Sequence, residues 1–285
     1  MSGTRTCARG VVVVLVLVIG SAAGAFWLTG GRWFVMRTPS MGTTAPVGTL
    51  VLTRPVPRLS AVRVGDVVTY RPPVPAASYY THRVVAVTPA GLTTRGDLNG
   101  AADPWTIGPG NLVGRAVLVV PGAGWLLLAL PSLAGGAALT WALSRRLRRP
   151  RWRRVIQLAS SLAVGVVLAD RLKPFTGVTE LASTVDAHGV ARISLVSTGL
   201  LPVRLTAAPG HGLAAPVVLA YGRHATVTLT GLAPGDTYVL DARLHLGLAG
   251  ALLLIAGWLA VCLTAVAAVG RYAARHRARG TRWRR

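Results

Sequence analysis

Lysine occurs once among the 285 residues, at Lys173, and cysteine twice, at Cys7 and Cys262. Charged residues are only 14% of the chain, and eight of them are acidic. Each scarcity excludes something. Cys7 lies in the N-terminal flank and Cys262 inside an apolar run, so neither is placed for a structural disulfide outside a membrane. Two cysteines alone make no zinc framework. Low charge with 52% hydrophobic residues is unusual for a soluble protein and usual for a polytopic membrane protein. The formal charge of +23 invites a nucleic-acid reading. The arginines argue against it, because they cluster just after apolar runs, at Arg145 to Arg154 and Arg271 to Arg285. Arginine beside a membrane span is a topology signal, and such clusters also suit anionic lipid. We therefore expect a lipid bilayer as partner and no nucleic acid.

What is present is a set of apolar runs separating two β-prone regions. After a flank at 1–10 carrying Arg5 and Arg9, the run 11–29 offers about 19 residues, or about 28 Å of helix, close to the hydrocarbon thickness. Ala23-Gly24-Ala25 also resembles a signal-peptide cleavage site. Either way the chain that follows is exported. A second span is expected at 117–143, with Pro131 kinking it, followed by a basic cytoplasmic loop at 144–154. The run 155–171 is short for a span, but Trp152 and snorkelling arginines extend it. A fourth span at 246–269 precedes a basic tail at 270–285. Four spans put both termini and the basic loop in the cytoplasm, and three would put the basic tail outside, against the charge rule. The expected location is a multi-pass plasma-membrane protein with both β-prone regions extracytoplasmic.

The first region, 32–116, has short β-prone stretches between turn signals. Thr49 to Thr53, Ala61 to Arg71 (two strands broken at Gly65-Asp66), Tyr79 to Val87 and Leu112 to Val120 predict a mostly antiparallel domain of about 85 residues. The second region, 172–243, has strand composition at Val190 to Leu205 and Pro216 to Leu232. Its Thr230 to Tyr238 stretch resembles the turn before a late strand of Ig-like and fibronectin-like sandwiches. An all-β spacer fits the same residues. His188, His211 and His224 have no ligand-like spacing and read as surface residues.

A serine, a histidine and two aspartates fall in order within the first region: Ser40, His82, Asp97 and Asp103. A serine hydroxyl needs a base to become a nucleophile. His82 is the only imidazole in that region, and a neutral imidazole can take that proton at physiological pH. An aspartate would orient the ring and stabilise the imidazolium. Asp97 and Asp103 are both candidates, while Asp66 sits in an apparent hairpin turn.

Thr38-Pro39-Ser40-Met41, Val64-Gly65-Asp66-Val67-Val68, His82-Arg83-Val84 and Gly96-Asp97-Leu98-Asn99 with Asp103 occur in this order over residues 10–120, after an apolar anchor. This pattern resembles the membrane-bound type I signal peptidases, in the subgroup typified by the endoplasmic-reticulum and archaeal enzymes. The resemblance implies Ser40 as nucleophile, His82 as general base and Asp103 as the third member, with Asp97 a supporting or alternative acid. It also implies an oxyanion hole from the Ser40 N–H and the Thr38 hydroxyl. Most bacterial members use a lysine base. The only lysine here, Lys173, lies beyond the second expected span, so a Ser-Lys dyad in this domain is excluded. The family's proline two residues after the methionine is replaced by Thr43, although Gly48 keeps the spacing of the family's next glycine. The implied activity is release of exported preproteins from their signal peptides after a small residue, with no metal or organic cofactor. Two other readings are a catalytically idle scaffold or assembly factor and a transporter. The apparent spans at 11–29 and 246–269 lack the charges a transporter path would show. The 172–243 region is expected to meet a substrate or assembly partner.

Overall fold

The computed structural model describes residues 3–74, 78–145, 174–186, 188–207, 212–213, 215–230 and 240–248, with isolated positions between 157 and 170 and between 250 and 256. The chain opens with helix α1 (Gly3–Leu28), whose residues Val13 to Ile19 are all more than half exposed. Six strands follow: β1 (Arg32–Val35), β2 (Leu50–Arg54), β3 (Val67–Tyr70), β4 (Tyr80–Thr88), β5 (Gly91–Arg95) and β6 (Leu112–Val120). They form one antiparallel sheet in the order β1-β2-β6-β3-β4-β5.

Strand alternation explains the packing. Side chains two apart share a face, so β2 buries Val51 and Thr53 while its neighbours are less covered. Val62, Val68, Tyr70, Val84, Leu92 and Ile107 make one core, and Met36, Met41, Ala45 and Val51 another under the β1–β2 connection. The second core anchors the loop that carries Ser40.

The expected strands are largely present, with corrections. Ala61 to Arg71 holds one strand, not two. A 3-10 turn at Leu59–Ala61 leads into it, and Asp66 closes the next turn by accepting the Arg63 N–H at 2.9 Å. Gly65, at φ 97°, suits that turn and not a strand. The strands β1 and β5 were not anticipated. The second apolar helix, α2, runs Ala123–Arg145 and contains Pro131. It therefore starts six residues later than the expected span at 117–143, because Leu118, Val119 and Val120 pair with Leu52, Val51 and Leu50. A short apolar run does not by itself distinguish a strand from a helix.

Among the described residues one helix, Ala123–Ala142, is long and apolar enough to cross a membrane, and Val13–Leu28 is a shorter apolar helix. Four spans are therefore not supported among the described residues. The expected spans at 155–171 and 246–269 lie mostly outside them, as do the basic loop and tail.

The second region is also antiparallel β. Strands β7 (Val178–Val185), β8 (Ala191–Ser197), β9 (Val203–Ala207), β10 (Gly212–Leu213), β11 (Val217–Leu219), β12 (His224–Thr230) and β13 (Leu240–Leu244) form sheets ordered β10-β12-β8-β7 and β11-β9-β13. Ile193 and Leu195 from β8, Leu205 from β9, Leu219 from β11 and Leu229 from β12 share one core, so the two sheets pack as a sandwich. Val190 to Leu205 holds parts of two strands, and β7 and β13 were not anticipated. Residues 231–239, which hold most of the fibronectin-like turn, lie outside the described residues, as does His211. His188 and His224 are exposed.

The residues up to Arg243 cluster as one compact unit and those from Leu244 as another.

Candidate active site

Ser40 sits in the connection between β1 and β2, which is a succession of tight turns. The Gly42 N–H donates to the Pro39 carbonyl at 2.9 Å, and the Thr44 N–H to the Met41 carbonyl at 3.0 Å. Gly42 takes φ 49°, a left-handed conformation that a glycine adopts without strain. Met41 is fully buried, so the residue after Ser40 is a hydrophobic anchor while Ser40 stays half-buried and accessible. The Leu98 N–H donates to the Ser40 carbonyl at 2.8 Å, tying this loop to the one that follows β5.

His82 lies in β4 opposite Val68 of β3, and its side chain is 6% exposed. Antiparallel partners point the same way, so His82, Val68, Tyr70 and Tyr80 share one face of the sheet. His82 Nε2 is 3.1 Å from Ser40 Oγ, and Nδ1 is 2.8 Å from Asp103 Oδ2. With its Nδ1–H donated to Asp103, the ring leaves Nε2 free to accept the Ser40 hydroxyl proton. Asp103 reaches the ring because its own N–H donates to the Thr94 carbonyl of β5 at 2.8 Å. Its carboxylate is 7% exposed. Three donors meet on one oxygen: the Tyr70 hydroxyl at 2.8 Å, the Thr94 hydroxyl at 2.6 Å and His82 Nδ1. The Tyr70 oxygen in turn accepts Trp105 Nε1 at 3.4 Å. Burial pushes the Tyr70 hydroxyl pKa well up, so the tyrosine stays a donor.

Of the two candidate acids, Asp103 faces the imidazole. Asp97 meets Arg83 in a two-pronged pair, Nε to Oδ1 and Nη2 to Oδ2, both 2.8 Å. The Thr44 hydroxyl adds a third contact to Oδ2 at 2.6 Å. Asp97 thus clamps the Ser40 loop, through Thr44, to β4, through Arg83. Arg83 also donates to the Gly65 carbonyl at 2.9 Å. Asp66 meets Arg115 at 3.3 Å and takes no part in the imidazole contacts. The Thr38 hydroxyl is 3.5 Å from Ser40 Oγ, at the outer limit of a hydrogen bond.

Burial alone would raise the Asp97 carboxyl pKa. Hydrogen bonds from Arg83 and Thr44 and the Arg83 charge outweigh it and hold the group below the usual carboxylate range. A depressed folded-state pKa stabilises the fold above the unfolded-state pKa, and that contribution is lost as pH falls through the folded one. Acid unfolding is therefore expected to be shallower in Asp97→Asn than in the unaltered protein below about pH 4. Thermal melts across that window check it. Equal slopes would mean that the clamp adds no stability.

Tyr70, Thr94 and Trp105 carry no motif and escaped the sequence reading. The only sequence signal is alternation, which puts Tyr70 on the face of Val68; the pairing of β3 with β4 is then needed to bring it to His82. Tyr70→Phe removes one of three donors to Asp103 and leaves the Trp105 N–H without its acceptor. If Ser40 and His82 act as nucleophile and base, a fall in turnover of about threefold to tenfold is expected, since one neutral hydrogen bond contributes about 1 kcal/mol. Unchanged turnover would show that Thr94 and His82 suffice to hold Asp103.

The arrangement can move a proton from serine to histidine and stabilise the resulting cation. Among the described residues no three His, Cys, Asp or Glu side chains converge as a metal site requires. No family model matches the chain, and neither the curated proteins nor the solved structures contain a match to it.

Proposed function

We propose that the protein is a membrane-held serine endopeptidase of the type I signal peptidase kind, in the Ser-His-Asp subgroup that the sequence resembles. One observation carries the reading: Ser40 Oγ, His82 and Asp103 form a continuous chain with contacts of 3.1 and 2.8 Å. Three motifs far apart in sequence meet in the order that nucleophilic acyl transfer needs.

In this reading the Ser40 oxygen attacks the scissile carbonyl while His82 Nε2 takes its proton. Asp103 holds the Nδ1 proton and stabilises the imidazolium. The Ser40 N–H and Thr38 hydroxyl stabilise the oxyanion, and a lost donor of this kind costs about 3–4 kcal/mol. His82 returns the proton to the leaving amine, and water then releases the acyl-enzyme by the same route. The substrate is the extended segment behind a signal peptide, cleaved after a small residue.

Apolar α1 and α2 flank the six-stranded sheet in the chain and fit a membrane anchor, which would hold the site near the bilayer surface. The arginine clusters favour further spans at 155–171 and 246–269, cytoplasmic termini and a plasma-membrane location.

The test is cleavage of a reporter preprotein by vesicles holding the full chain, beside Ser40→Ala and His82→Ala vesicles at matched protein levels. Mature reporter from the unaltered chain alone supports the reading. Equal behaviour of all three across preproteins of varied cleavage sites would sink it and leave an idle scaffold.

A further inference from the structure

The second β region touches the nucleophile loop. Its turn between β11 and β12, Ala220 to Arg223, is closed by the Arg223 N–H donating to the Ala220 carbonyl at 2.9 Å. The Tyr221 hydroxyl leaves this turn and donates to the Val47 carbonyl at 2.6 Å, across 174 positions of sequence. Val47 belongs to the same β1–β2 connection as Ser40.

Gly222 makes the second contact. It takes φ 72°, and a Cβ there would lie 2.6 Å from the Pro46 ring and 2.9 Å from the Gly42 carbonyl oxygen. Only a glycine lets the turn close onto the loop. The turn is itself held to the sandwich, since the Gly222 N–H donates to the buried Ser197 carbonyl at 3.0 Å. Burial raises the Tyr221 pKa, partly offset by Thr49, the Gly122 backbone and Trp125, so the hydroxyl remains a donor.

The loop is thus gripped from two sides. Arg83 and Asp97 hold it at Thr44, and the sandwich turn holds it at Pro46 and Val47. We propose that the second β domain is a built-in strut for the nucleophile loop, with Tyr221 the positioning residue that fixes the conformation presenting Ser40. A strut needs no contact with substrate. Its loss lets the loop sample other conformations, which lowers the fraction of molecules with Ser40 aligned on His82 and leaves peptide binding largely intact. The loop-ordering part stands on geometry alone, while its effect on turnover rests on the peptidase reading.

The experiment uses the full chain in vesicles with Tyr221→Phe, Gly222→Ala and Ser40→Ala, and reads two quantities. The first is hydrogen exchange of peptides covering 42–49, with a peptide over β8 as control. The second is kcat and KM on the reporter preprotein. In Tyr221→Phe, exchange at 42–49 is expected to rise about fivefold with the β8 control unchanged. Its kcat should fall about fivefold at near-constant KM, the factor one neutral hydrogen bond supplies. Gly222→Ala should move both in the same direction and further. Unchanged exchange at 42–49 overturns the strut. Faster exchange with unaltered kcat overturns the positioning role. If the unaltered chain cleaves no faster than Ser40→Ala, it is the peptidase reading that fails, and exchange alone then decides whether the strut exists.

Discussion

On the peptidase reading, Asp103→Ala is expected to lower kcat for preprotein cleavage by about four orders of magnitude, whereas Asp103→Asn should lose only about a hundredfold. The difference comes from where the donors sit. Tyr70, Thr94 and His82 all converge on Oδ2. An asparagine whose carbonyl oxygen takes the place of Oδ2 keeps the Tyr70, Thr94 and His82 donors satisfied. The Nδ1 proton then keeps an acceptor and the productive tautomer survives. What is lost is the negative charge that stabilises the imidazolium, and hydrogen bonds to a charged partner are roughly twice as strong as neutral ones. Alanine removes acceptor and charge together and leaves Tyr70 and Thr94 buried without their partner. KM should stay near its original value in both variants, since Asp103 is buried behind the histidine. Asp97→Asn is expected to cost less than about tenfold, because Asp97 touches Arg83 and Thr44 and not the ring. If asparagine proves as damaging as alanine, the shared-oxygen arrangement is wrong. If Asp97→Asn is the more severe change, the two acids have exchanged roles.

The second large effect is expected from Gly96→Ala, which adds one methyl group. A Cβ at Gly96 would lie 2.9 Å from Ser40 Cβ and 2.9 Å from the Asn99 amide. The Asn99 side chain can swing aside. Ser40 Cβ cannot, because its backbone is held by Leu98 N–H at 2.8 Å and its neighbour Met41 is fully buried. Relief must come from displacing the nucleophile by a fraction of an ångström or more. Misplacing a reacting group by about 1 Å costs about a hundredfold in rate. The φ of Gly96 is outside the left-handed range, so alanine adds no backbone strain. We expect kcat to fall about a hundredfold with the melting temperature shifted by only a few degrees. Near-normal turnover would show that the Ser40 loop can retreat without losing its alignment on His82.

The order of the serine, histidine and acids was legible in the sequence because each part sits in a short local signal. Thr38-Pro39-Ser40-Met41 reads as a loop and Tyr79 to Val87 as a strand carrying the single histidine of its region. Gly96 to Asp103 reads as a turn rich in acids. Alternating apolar residues also predicted most of the six-stranded sheet. The strand β5 escaped because Leu92-Thr93-Thr94-Arg95 is short and polar at three of its four places, and it gains stability from pairing with β4, not from its own composition. Val117 to Val120 reads both as the end of the strand Leu112 to Val120 and as the start of the span at 117–143, because apolarity alone is shared by a strand and a membrane helix. Pairing with β2 decided in favour of the strand.

Taken alone, the sequence determined the order Ser40, His82, Asp97 and Asp103, and that the first domain holds a single histidine and no lysine, since these depend on composition and order. It left Asp97 and Asp103 open, because both stand within a few residues of the same turn. Tertiary structure separated them: the Asp103 N–H joins Thr94 of β5, which swings its carboxylate under His82, while Asp97 is drawn outward to Arg83 and Thr44. It also decided the parts with no local signal. Tyr70 reaches Asp103 only through strand register, and Tyr221 reaches Val47 only through the packing of one domain on another. Such contacts join residues tens to hundreds of positions apart, so no window of sequence contains both partners.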